Sequence, residues 1–164
     1  MFQPVDSGSF SAPGLHLTLE VRAQVGDPIE IGEADHHRRR IVPIIGGTFE
    51  GRGDLTARGR ILPGGSDAQI IHGDGLIEAD AQYVLESDRG QLVYVRNRGL
   101  RHAPADIMAR LLAGERVDPA LVYFRSVPTF ETSAPELQLL TRSIFVGSGE
   151  RYPNEVVLRF WRVI

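Results

Sequence analysis

The chain has 164 residues, 42% hydrophobic and 24% charged, with a formal charge of −3 and a pI near 5.9. This is the size and mixture of one globular domain spanning residues 1–164, and an acidic balance disfavours a nucleic-acid partner, whose phosphates call for a basic surface. The absence of Cys excludes disulfide scaffolds, thiolate zinc sites and cysteine nucleophiles.

The start, Met1-Phe2-Gln3-Pro4, shows neither the charged nor the apolar region of a signal peptide. No apolar run reaches the length of a membrane span, so the expected location is the cytoplasm, with no membrane partner. Leu15 to Val25 alternates apolar and polar residues over eleven positions, the period of a half-buried strand. Gly26-Asp27-Pro28 ends it as a turn, and polar Gly32 to His37 is expected to be a loop.

Further strands are predicted at Arg40–Ile45, Thr56–Leu62, Ala68–His72 and Leu76–Glu86. In the last of these Ile77, Ala79, Ala81, Tyr83 and Leu85 share a face. Ser87-Asp88-Arg89-Gly90 turns the chain into Gln91–Asn97, with Leu92, Tyr94 and Arg96 on one face and Val93, Val95 and Asn97 on the other. Ile107, Met108, Leu111 and Leu112 fall at helical spacing, which predicts a short helix between Pro104 and Ala113. Strands resume at Leu121–Val127, Ser143–Val146 and Glu155–Ile164, with a helical turn within Pro135–Arg142. Gly147-Ser148-Gly149 reads as a hairpin turn.

About eight or nine strands, short turns and one small helical insertion make an all-β fold, a closed antiparallel β barrel. Closure leaves no exposed edges. Gly46-Gly47 and Gly64-Gly65, each at the end of an apolar run, mark its sharp corners.

The motifs I-V-P-I-I-G-G-T-F-E-G (Ile41–Gly51), I-L-P-G-G-S-D (Ile61–Asp67), E-A-D-A-Q-Y-V-L-E-S-D-R-G (Glu78–Gly90), V-Y-V-R-N-R-G (Val93–Gly99) and Y-F-R-S-V-P-T-F-E-T (Tyr123–Thr132) occur in order. Together they resemble a bacterial family known only as domain of unknown function 3237. The resemblance runs from about Leu15 to Ile164. It implies a closed antiparallel barrel similar to that of allene oxide cyclase, and no particular reaction. Leu139-Leu140-Thr141 departs from the family pattern, which is expected to show an aromatic-Leu-Asn element there.

Five residues are candidates for chemistry. Asp67, after the Pro-Gly-Gly corner, suits a general base at a barrel mouth or a hydrogen bond to its own turn. Tyr83, flanked on its face by small alanines, suits a donor to a substrate oxygen or a core tyrosine with a backbone partner. Tyr94 shares a face with Arg96, and Arg125 with Tyr123. Arg125 could meet a substrate carboxylate or form an ion pair, and the prediction places it with Tyr83 in one interior cavity. Glu131 is a general base if buried and a solvated loop residue if not.

His36 and His37 are adjacent and His16, His72 and His102 scattered, so no metal is expected. Phosphate-loop and dinucleotide signatures are absent, and no cofactor is expected. The function that follows is a cofactor-independent enzyme of isomerase, cyclase or lyase type acting on a small, partly apolar organic molecule. The alternative is a barrel that binds such a molecule without transforming it. A third reading, a structural subunit, would fill the barrel. The expected partner is a small-molecule ligand, and a homo-oligomer stays open.

Overall fold

A computed structural model describes residues 11–164; the Met1–Pro4 reading lies outside them. The described chain is a closed antiparallel barrel of eight positions round the ring, with two strands more than the ring needs and two short helices. β1 (Leu15–Val25), β2 (Ile29–Ala34) and β3 (His37–Gly51) come first, followed by β4 (Arg58–Ile61) and β5 (Gly65–Ile71). The long β6 (Ile77–Ser87) and β7 (Leu92–His102) lead to helix α1 (Ala105–Leu112). β8 (Tyr123–Glu131), helix α2 (Gln138–Thr141), β9 (Phe145–Arg151) and β10 (Glu155–Val163) complete the chain.

β3 explains the extra strands. Its first half lies between β2 and β5, and its second half between β1 and β4. The partners change at Gly46-Gly47, where the register against β1 slips by one residue between Gln24 and Val25. Gly47 has φ +130°, and a side chain there would strike the Arg22 carbonyl oxygen. The expected corner is therefore a bulge that bends β3.

The loop expected at Gly32–His37 is instead a hairpin, with β2 as one arm. Asp35 and His36 form its turn at φ 47° and 70°, the left-handed pair that a two-residue hairpin turn requires. Composition hid this because the alternating Ile29 and Ile31 of this edge strand face solvent and pack on no core. The turn also removes His36 from any strand. Gly147 and Gly149, expected in a turn, lie within β9, and a side chain on either would meet the inward-facing Phe160 or Phe124.

Alternation settles the interior. Leu19, Val21 and Ala23 of β1 point in, as do Tyr83 and Leu85 of β6, Val93 and Val95 of β7, and Phe130 of β8. α1 closes one end by packing Ile107, Met108 and Leu111 on Ile71, Ile77 and Val117. Leu137 and Leu140 close the other end as part of the main core, where Phe130 meets Phe145 and Phe160 edge-on. β8 and β9 pair only at Arg125 with Ser148 and Ser126 with Gly147. No helix among the described residues is long and apolar enough to cross a membrane.

Candidate functional site in the barrel interior

Small residues keep the middle of the barrel from filling. Ala79, Gly99, Ser126 and Gly147 are register neighbours on β6 to β9, and Asp67, Ala81 and Asn97 form an adjacent row across β5 to β7. Larger side chains here would meet across the barrel; these leave a cavity of about 40 Å³. Val42, Ile44, Val156, Leu158 and Phe124 supply apolar wall, and Asp67, Tyr83, Asn97 and Ser126 supply the polar groups. A side chain at Gly147 would strike the Ser126 hydroxyl, and one at Gly65 would meet Cβ of Tyr83 at 2.7 Å. Both glycines thus hold cavity residues in place.

The polar groups are unusual in being unspent. The Tyr83 hydroxyl, Asn97 Oδ1 and Ser126 Oγ are buried with no hydrogen-bond partner among the described residues. Each unsatisfied group costs roughly 1–3 kcal/mol, so a guest that paired with all of them would recover several kcal/mol.

Asp67 is half-buried and anchored. Its Oδ2 accepts from Gln69 Nε2 at 2.7 Å and its Oδ1 from the Asp80 backbone N–H at 3.0 Å. Gln69 Oε1 in turn accepts from Arg40 Nε at 2.8 Å. Burial raises the Asp67 pKa above the ordinary carboxylate value against the opposing pull of these hydrogen bonds and of Arg101 and Arg40. Burial, and then the nearby Asp67 charge, push the Tyr83 phenol up too, so it stays a proton donor. The result is a carboxylate more basic than usual beside a phenol that keeps its proton.

The raised Asp67 pKa has a consequence for stability. Below the unfolded-state pKa the group is neutral in both states and contributes nothing. As pH rises towards the folded pKa the native state holds the proton longer, so stability falls, and above it the full desolvation cost remains. Denaturation midpoints of wild type and Asp67→Asn should therefore diverge as pH rises out of the acid range, with the variant relatively more stable. Parallel profiles would contradict the shift.

Of the five sequence candidates, the barrel brings Asp67 and Tyr83 together. Tyr94, Arg125 and Glu131 point outward. Tyr94 donates to Gln82 Oε1 at 2.8 Å and faces Glu131 across the β7–β8 ladder. Arg125 lies 5.5 Å from the Tyr123 ring centroid and donates to the Phe124 carbonyl at 2.9 Å. The expected shared cavity of Tyr83 and Arg125 is therefore not formed: Phe124 and Ser126, the residues either side of Arg125, take the inward positions.

Arg125 lines instead a broad open concavity of about 990 Å³ on the outer face, with Leu100, Tyr123 and Val127. Of its charged groups, Asp80 pairs with Arg98 at 3.5 Å and with the neighbouring Arg96 at 2.8 Å. Unpartnered, buried chemistry lies inside. Asn97 and Ser126 were missed as site residues, although each is the polar exception on an apolar strand face, beside Val93 and Val95 or between Phe124 and Phe130. Among the described residues, no three His, Cys, Asp or Glu side chains come together as a metal site would need.

Comparison with known proteins gives a family but no activity. The model of the family described as "Protein of unknown function (DUF3237)" matches residues 13–163. A UPF0311 protein of Rhodopseudomonas palustris is 42% identical over 144 residues, covering 88% of this chain and 92% of the relative. The crystal structure of a conserved protein of unknown function from the same species superposes with a TM-score of 0.90 at 39% identity, covering 94% of this chain and all (100%) of that one. An enzyme from Penicillium herquei shares the fold, with a TM-score of 0.68 at 19% identity over 96% of this chain and 99% of that one.

Proposed function

We propose, for a chain that belongs to the DUF3237 family of proteins of unknown function, that the barrel interior is the active site of a cofactor-independent enzyme. It moves a proton within a small, partly apolar organic molecule, in a reaction of isomerase, cyclase or lyase type. The observation that carries this reading is the convergence of three unpartnered polar atoms, on Tyr83, Asn97 and Ser126, with the anchored Asp67 carboxylate on one cavity.

Asp67 takes a proton from an acidified C–H or O–H of the substrate. The electron pair left behind moves onto the adjacent carbonyl oxygen, which Tyr83 O–H and Ser126 O–H stabilise by donation. Asn97 Oδ1 accepts from a substrate hydroxyl and fixes its orientation. Returning the proton from Asp67 to another position completes an isomerisation. A cavity of about 40 Å³ holds about three waters, so it takes the reacting end of the substrate, and the rest displaces wall side chains. That the same fold carries an enzyme in Penicillium herquei supports the reading at the level of fold.

The test is deuterium incorporation from D₂O into a panel of small ketones and enones, followed by NMR. Wild type should accelerate exchange at one carbon of at least one compound. Binding without exchange across the panel would return a barrel that only holds its ligand.

A further inference from the structure

The interior holds more positive charge than the described chain neutralises. Arg40 and Arg101 are buried, at 6% and 4% exposure. Both point inward together with Arg151 of β9. Each sits one inward step from the cavity wall. Arg40 precedes Val42 by two residues, Arg101 follows Gly99 by two, and Arg151 faces Val156 across the β9–β10 ladder. All three lie towards the end that α1 closes.

Among the described residues none of the three forms an ion pair, whereas solvent-facing arginines such as Arg22, Arg96 and Arg159 pair with carboxylates. Arg40 donates its Nε to neutral Gln69, and Arg151 donates to the Glu155 carbonyl at 3.3 Å. Arg101 lies 5.6 Å from the Phe124 ring centroid, and its buried Nε has no partner. Burial, then the nearby Arg40, push the Arg101 pKa down to about 10, which still leaves it charged at neutral pH. The acid facing all three is Asp67; Glu30, opposite Arg40 on β2, is already paired with Arg38 at 2.8 Å, so the guanidiniums outnumber the carboxylates. Leaving a buried charge unmatched costs several kcal/mol. Guanidinium forks fit oxyanions in a bidentate manner.

We propose that Arg40, Arg101 and Arg151 form an oxyanion-binding site that holds the carboxylate or phosphate of an organic substrate whose reacting end lies in the cavity. The proposal deepens the enzyme reading and rests on it for the word substrate. The anion site itself is testable without turnover. The charge also fixes polarity: the anionic group lies at the α1 end, and the reacting end reaches past Ser126 and Asn97 towards Tyr83.

Calorimetric titration of the full chain with benzoate, phenyl phosphate and neutral benzamide, at constant chloride, tests this. At least one of the two anions should bind and benzamide should not, and the one that binds identifies the oxyanion. Arg101→Met should weaken that binding at least tenfold, and Arg101→Lys should restore part of it. Should Arg101→Met fail to fold, as judged by circular dichroism, Arg151→Met decides with the same probe. Neither anion binding, or unchanged binding in the folded Met variant, overturns the proposal. Anion binding without proton exchange in the ketone and enone panel would retain the anion site and remove the enzyme. Exchange without anion binding would do the reverse.

Discussion

Asp67→Asn should slow proton exchange on any compound that the wild type processes by about 10²–10⁴-fold, the usual contribution of a positioned general base. Asparagine keeps the size of the side chain and an oxygen able to accept from the Asp80 N–H, but it takes up no proton. Because desolvation of the carboxylate outweighs the opposing pull of Gln69, Arg101 and Arg40, losing its charge relieves more than it leaves unmatched, and the variant should unfold no more easily than wild type at neutral pH. Loss of exchange in a folded variant therefore isolates chemistry from stability. Tyr83→Phe should cost less, on the order of 10²-fold, because Ser126 still donates to the oxyanion. Wild-type exchange rates in Asp67→Asn would remove Asp67 from the mechanism.

Gly47→Ala should give the largest loss of stability. At φ +130° an L side chain is strained by about 1–3 kcal/mol wherever it sits. Here its Cβ would also strike the Arg22 carbonyl oxygen and lie 3.0 Å from Ile61 Cδ1. The carbonyl belongs to a laddered strand on the far side of the same bend, so it has little room to retreat. A total near 3–5 kcal/mol lowers the melting temperature of a chain this long by roughly 6–20 °C. Gly64→Ala is the control: φ is +106° but nothing lies within 4 Å of the new atom, which leaves the backbone strain alone. Equal melting temperatures for the two variants would show that the clash relaxes.

The barrel was legible in the sequence because its strands alternate strongly. Leu15 to Val25 and Ile77 to Leu85 announce both their strand and their inward face, and Ile107, Met108 and Leu111 announce α1. β2 was not legible: Ile29 and Ile31 are exposed at 55% and 59%, so their periodicity marks no core. The site was half legible. Alanines beside Tyr83 revealed the space, and Asp67 stood at a recognisable corner. Arg125 misled because Leu121 to Phe124 is apolar on both faces, which leaves the alternation without a phase. Arg40 was hidden inside the surface-like run Arg38-Arg39-Arg40, of which only the third member is buried. A single arginine's orientation depends on the strand's register, and composition carries no such information.

The short β8–β9 ladder bears on how quickly the interior can be reached. Tyr83, Asn97 and Ser126 are at most 6% exposed, so a ligand must wait for the wall to part. Ser126 lies at the two-pair seam, where the fewest hydrogen bonds have to be broken at once. Occupancy would then be limited by the frequency of that opening rather than by collision. In stopped-flow experiments the observed rate should level off as ligand concentration rises, and a disulfide clamped across the seam should lower the plateau.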